Sequence, residues 1–284
     1  MALAAAAVYL CARLLAVRDL RLAPWFWLGL LLGAGALVRA FALWTLGAVL
    51  LALLLTRAPR RAVALAAVAT VAGAALIAGP WFVRQQIRFG TPLPFNRPTP
   101  NTPLLQRRPL AFYTALGLPD VFNRPVRPSF TNDALPTTYS ELWGDYLGNF
   151  VWSGTLPDKT KRQLTLQNEL GLLPTALALA GWVALLVATL RRRDSAQALI
   201  PLFCLVGLLG YLYFTVSHPS PDGDVLKATY LLTTAPAWAL CFGWATSVLS
   251  RDRWIRGALL VVLAGSALFD LGFVVFQSPL EGVF

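Results

Sequence analysis

Charge is scarce in this chain. Of its 284 residues only 13% are Asp, Glu, Lys or Arg, about half the share of a soluble domain. Acids are the scarcer sign, 13 against 24 basic residues. Histidine occurs once, at His218. Three cysteines, Cys11, Cys204 and Cys241, sit inside apolar runs with no metal-ligand or redox spacing. On spacing, zinc, iron–sulfur and disulfide readings are excluded. No His-Glu-x-x-His, phosphate loop, Gly-x-Ser-x-Gly or dinucleotide fingerprint occurs, so soluble hydrolase, NTPase and Rossmann chemistry have no support.

What fills the chain instead is apolar. Hydrophobic residues make up 57% and mean hydropathy is +0.62. Apolar spans cover 2–17, 24–38, 41–56, 62–82, 171–190, 196–216, 228–249 and 257–276. A helix crossing a bilayer needs about 20 such residues. The expected fold is therefore all-α, a polytopic transmembrane bundle of about eight spans. The second and third spans are short and read as a tight hairpin.

Basic residues set the orientation. Arg18 and Arg21, then Arg57, Arg60 and Arg61, then Arg191–Arg193, then Arg251, Arg253 and Arg256 occupy alternate loops. All four clusters fall on one face, cytoplasmic by the positive-inside rule. The net charge of +11 is thus a topology signal, and nucleic acid is not an expected partner. Three regions follow: membrane helices over 1–82, an extracytoplasmic region over 83–170 and membrane helices over 171–284. The middle region is too long for a connector. Its prolines predict extended chain before a short amphipathic surface helix over 137–153. There is no internal repeat. Met1 is followed by apolar residues with no basic region, so the start does not read as a cleaved signal. The first span would run from outside to inside, as if the chain began within a longer protein.

Few residues can carry chemistry, and each has two readings. Arg84 and Arg88 are i,i+4 neighbours on one helix face. They read as a bidentate clamp for phosphate or as interfacial arginines beside Trp81 and Phe82. Arg39, at the hairpin tip, pairs with a lipid phosphate or snorkels to headgroups. Asp145, between Trp143 and Tyr146, suits a sugar hydroxyl, or stands in water on an anchoring helix. His218, Asp222, Asp224 and Lys227 gather in a small outer loop. The two acids could hold a divalent cation if phosphates complete its shell, or could cap a helix opening at Ala228. Lys227 at that start would oppose the helix dipole, which a bound phosphate would offset. His218 reads as a loop residue sooner than as a base. Asp270, in the last span, is a candidate partner for an arginine. No metal or cofactor follows beyond that cation.

Several of these segments resemble one family. Gly33-Ala-Gly-Ala-Leu-Val-Arg39 looks like the small-residue hairpin ending in a basic residue of GT-C membrane glycosyltransferases, the family-39, protein-mannosyltransferase and aminoarabinose-transferase relatives. Gly79-Pro-Trp-Phe-Val-Arg84 through Asn96 is similar to a later helix exit. Asp222-Gly-Asp224 with Lys227-Ala-Thr-Tyr-Leu-Leu232 and Pro236 is similar to their Lys-x-x-Tyr-Leu-Leu…Pro helix start. The resemblance implies inverting sugar transfer from a polyprenyl-phosphate donor, on the outer face of the cell membrane, to a glycan, lipid or protein acceptor. Arg39, Arg84 and Lys227 would bind the donor phosphate. The family's general base is an acid in a first outer loop, and no early Asp-Asp or Asp-Glu occurs here. No catalytic residue is therefore carried over, and the chain resembles the C-terminal two-thirds of such an enzyme, or a divergent or inactive member. The competing expectation is a non-catalytic membrane protein, either a transporter of lipid-linked intermediates or an assembly partner.

Overall fold

The computed structural model describes residues 2–93, 109–123, 133–144, 158–192, 194–217 and 226–276, all helix, turn or loop, with no strand among the described residues. The helices are α1 (Ala2–Ala16), α2 (Leu22–Val38), α3 (Leu43–Leu54), α4 (Arg60–Phe89), α5 (Leu110–Thr114), α6 (Leu118–Asn123), α7 (Ala134–Trp143), α8 (Asp158–Leu170), α9 (Leu172–Arg192), α10 (Ser195–Ser217), α11 (Ala235–Leu249) and α12 (Arg253–Phe276). Two 3-10 turns, Ala40–Ala42 and Ala228–Leu231, join α2 to α3 and precede α11. Among the described residues four stretches are long and apolar enough to cross a membrane: Arg60–Phe89, Arg162–Arg192, Ser195–Ser217 and Arg253–Leu271. Helices α1 and α2, and α3 with its 3-10 turn, are apolar but shorter.

The chain forms two compact units. The first comprises Met1–Asn101, Ala180–Phe214 and Tyr230–Cys241, and the second Thr102–Leu179, Thr215–Thr229 and Phe242–Phe284.

In the first unit the helices meet through small residues. A Cβ added at Gly29 would run into the carbonyl of Thr70, one at Gly73 into the carbonyl of Phe26, and one at Gly33 would lie 2.6 Å from the Ala74 carbonyl oxygen. Gly29 thus meets Thr70, and Gly33 meets Ala74 four residues on, so α2 and α4 run parallel. Around these contacts α4 buries Val63, Ala66, Thr70, Gly73, Ala74 and Ala78 and exposes Leu65, Val68, Leu76, Val83 and Ile87. Small residues inside and large apolar ones outside is the arrangement of a helix in lipid, where burial of large side chains gives no drive to associate.

Helix α10 is the centre of this unit. Gly210 takes the Trp44 ring, Val206 faces Gly47, and Phe214 touches Phe41. Numbers rise on α10 as they fall on α3, so the two are antiparallel. Gly207 backs onto Thr234 and Cys204 onto Cys241, so α11 is antiparallel to α10 as well. Gly181 of α9 packs on the Cys241 carbonyl, and Trp182 donates from Nε1 to the Pro201 carbonyl oxygen at 3.0 Å. Arg57 Nη2 approaches the Arg192 carbonyl oxygen at 3.5 Å. The α3–α4 and α9–α10 loops therefore share one end of the unit, as the basic clusters led us to expect.

Three boundaries differ from the sequence reading. Helix α4 runs on through Pro80 to Phe89 and ends at Gly90, whose φ of +73° suits a residue without a Cβ. The span expected over 228–249 is a 3-10 turn followed by α11 from Ala235. The surface helix expected over 137–153 is α7, which begins at Ala134; residues 145–153 lie outside those described.

If glycine packing aligns α2 with α4, Gly29→Ala should cost on the order of 1–3 kcal/mol through overpacking against a backbone that has no give. Gly243→Ala on α11, where a Cβ meets nothing within 4 Å, should be neutral or gain up to about 1 kcal/mol of helix propensity. Thermal unfolding of both variants in detergent measures the difference. Equal midpoints would mean that the helices part without cost.

Candidate functional site

The turn between α2 and α3 is built around Arg39. Its backbone is extended and its N–H donates to the Gly35 carbonyl at 3.0 Å, closing α2. Its own carbonyl accepts from Ala42 N–H at 2.8 Å, opening the 3-10 turn. The guanidinium lies over two rings, 5.5 Å from the Tyr230 centroid and 5.9 Å from that of Phe41. Phe41 and Tyr230 stack at 4.6 Å, and Phe214 meets both edge-on at 4.8 and 5.1 Å. Three segments far apart in sequence thus converge in the first unit on one half-buried arginine. Among the described residues no carboxylate pairs with it. Each ring contact is worth about 0.5–2 kcal/mol, more as water is excluded. A guanidinium carries five N–H donors in a planar fork that suits oxygen ligands.

Polar atoms without partners lie close along the chain. Trp44 Nε1 and Thr45 Oγ1, one turn further into α3, are buried with no hydrogen bond among the described residues. Buried donors of that kind are rare in folded chains.

Arg84 and Arg88 lie on the last turns of α4, as the spacing implied, and both are exposed. Carrying the parallel alignment of α2 and α4 onward puts Arg39 level with Pro80 and Arg84 one turn beyond, about 6 Å along the axis. Arg84 makes no contact with the aromatic cluster among the described residues, and Arg88 lies over its neighbour Phe89 at 5.1 Å. Between them Gln85 is buried with Oε1 unpartnered, a residue the sequence reading passed over.

Asp145, His218, Asp222 and Asp224 lie outside the described residues. Lys227 belongs to the second unit, is half-buried, and makes interactions of its own. It precedes a four-residue 3-10 turn and not an α-helix, so the dipole conflict expected of it does not arise. The N–H that needs an acceptor there, on Ala228, donates to Oε2 of Glu141 at 2.8 Å.

Glu141 was not anticipated. It is 2% exposed on α7, which is amphipathic the wrong way round. Thr137, Ser140, Glu141 and Gly144 are buried while Leu135 and Leu142 are exposed. The buried polar stripe packs on α8. Asn168 Nδ2 donates to Ser140 Oγ and to the Val121 carbonyl, both at 2.9 Å. Tyr139 donates its hydroxyl to the Asn168 carbonyl at 2.9 Å, and Trp143 Nε1 donates to Thr175 Oγ1 at 2.9 Å. The spacing of Thr137, Ser140, Glu141 and Gly144 was the available signal. Asp270 faces the side chain of Gln167, and no arginine among the described residues pairs with it.

All three cysteines are free. The sulfurs of Cys204 and Cys241 nonetheless lie 3.9 Å apart in the first unit. Spacing along the chain hid a pair that two antiparallel helices bring together. Among the described residues no three His, Cys, Asp or Glu side chains gather to hold a metal ion.

Comparison with known protein families, with curated proteins and with solved structures finds no match to this chain. The site must be read from its own geometry.

Tyr139 gives that geometry a pH signature. Burial pushes its phenol up to about 12 from 10.0, against the opposing hydrogen bond from Thr175. The folded chain therefore holds this proton where the unfolded chain loses it, and stability should fall as pH rises from about 10 to about 12. Tyr139→Phe should lower stability by about 1 kcal/mol at neutral pH and flatten the alkaline loss. Unfolding curves of both proteins across that range test it; parallel alkaline slopes would place the phenol in water.

Proposed function

We propose that this chain belongs to an integral-membrane glycosyltransferase that takes a sugar from a polyprenyl-phosphate donor at the outer face of the membrane. On this reading eight apolar helices cross the bilayer and the basic loops lie inside. Arg39, Arg84 and the regions 83–170 and 217–227 lie outside, where a lipid-linked donor arrives sideways.

The observation that carries the reading is the meeting of Arg39 and Tyr230. Arg39 closes the first and Tyr230 lies within the last of the three segments whose resemblance to GT-C transferases suggested the class, and almost two hundred residues separate them in the chain. The rings around Arg39 exclude water from one side of its guanidinium, which strengthens its pairing with a phosphate. As the glycosidic C–O bond breaks, negative charge grows on the leaving phosphate, and a fixed cation stabilises that charge without reorganising. Arg84, one turn further out, is the further cation of this unit assigned to the donor. Asp145, Asp222, Asp224 and His218 are assigned to the substrate or to a divalent cation. The general base is left unassigned.

The reading is tested by donor retention. The purified chain in detergent should retain polyprenyl phosphate in preference to the matching polyprenol. Arg39→Ala should weaken retention about 10-fold or more, from the loss of a charged hydrogen bond of about 1.5–3 kcal/mol, at unchanged folded yield. Tyr230→Phe should keep most of the affinity and Tyr230→Ala should lose it. Equal retention of phosphate and alcohol, or indifference to Arg39→Ala, would return Arg39 to a headgroup anchor and remove the basis for a transferase.

A further inference from the structure

The opposite end of the first unit carries a second arginine cluster, and it does not consist of independent loops. Arg57 Nη2 reaches the carbonyl of Arg192 at 3.5 Å, which joins the loop after α3 to the loop after α9. Around that junction stand Arg57, Arg60, Arg61, Arg191 and Arg192, all exposed. None pairs with a carboxylate among the described residues, where the ion pair formed is Arg21 with Asp19. Asp194 is nearby in sequence, but its Oδ1 accepts from Ala196 and Gln197 N–H at 3.0 and 3.3 Å, capping α10. The first turn of α4 carries Arg60 and Arg61 and no acid, so two cations stand at the positive end of a 30-residue helix. An arginine has five N–H donors, and one long contact to a carbonyl leaves Arg57 most of them.

Five like charges drawn to one junction repel one another unless an anion lies among them. Like-charge repulsion, dipole direction and the lack of carboxylate partners all call for a ligand with more than one negative charge. We propose that this junction binds the headgroup of a two-phosphate anionic phospholipid, with one phosphate served by Arg57 and the α4 arginines and the other by Arg191 and Arg192. The ligand class follows from the position of the patch at the ends of apolar helices, where the acyl chains of such a lipid lie against exposed leucines and valines. The proposal rests on the helices crossing a bilayer and is independent of any sugar transfer.

The test uses the full chain in nanodiscs of phosphatidylcholine with a minor fraction of cardiolipin, and the lipid retained after delipidation is measured by native mass spectrometry. Arg57→Gln/Arg192→Gln should lower cardiolipin retention by roughly fivefold for each arginine removed. Arg251→Gln/Arg256→Gln removes the same charge from a cluster in the second unit and should leave retention nearly unchanged. Equal loss in both variants would show diffuse surface charge, and no loss in either would show no site; each overturns the proposal. Should the first variant fail to fold, competition on the unaltered chain decides. Cardiolipin should displace phosphatidylglycerol at equal total phosphate, and failure to do so overturns the two-phosphate junction.

Discussion

The first unit depends on the close approach of α2 and α4. Gly29 and Gly33 on one helix and Gly73 on the other bring carbonyl oxygens against Cα atoms where any side chain would intrude. Dispersion between closely approached backbones then holds the two helices together. This one alignment has a chemical consequence. Because the helices are parallel and locked in register, the C-terminal turns of both leave the unit at the same end. Arg39 and Arg84 are neighbours in height although 45 positions separate them in the sequence.

The same logic extends to α10, which gives Gly207 to Thr234 and Gly210 to Trp44. Small residues at these crossings let aromatic rings enter between helices. At the end of the unit the gap between α3, α10 and the chain before α11 is filled by Phe41, Phe214 and Tyr230. The rings are the floor on which the Arg39 guanidinium rests. Replacing small residues deep in the unit would therefore disturb the arginine at its end, through tilt and not through contact.

Much of this was legible in the sequence, and the reasons for the rest are specific. Apolar runs located nearly every long helix because the hydrophobic requirement acts on whole segments. Arg39 stood out because a cation between two apolar runs has few harmless explanations. Alternating arginine clusters indicated that the loops after α3 and α9 share an end, and Arg57 on Arg192 agrees. Composition could not show the break before α11. It was signalled by Thr234-Ala-Pro236, where Thr234 Oγ1 bonds back to the Leu231 carbonyl at 2.8 Å and proline opens a helix better than it continues one. Nor could it show which aromatics meet, since Phe41, Phe214 and Tyr230 belong to three segments. Glu141 was missed for another reason: α7 hides its polar face and shows leucines, so a rule that puts charge outside points the wrong way. The Cys204–Cys241 pair escaped because motif spacing describes ligands along one segment, whereas two antiparallel helices can place any two positions side by side.

What surrounds an arginine decides what it can do, and this chain holds two contrasting cases in one unit. Arg39 is a single half-buried cation that lies over two rings. Its strength toward an anion comes from lowered local dielectric and a fixed position, so it suits a ligand that must be oriented. The arginines around Arg57 and Arg192 stand in water, where each contact is weak and screened within about 8 Å at physiological salt. Their strength comes from number, which suits an anion that needs to be retained but not aligned. That difference follows from burial: under the two proposals the polyprenyl phosphate goes to the half-buried arginine, and the lipid headgroup to the exposed ones.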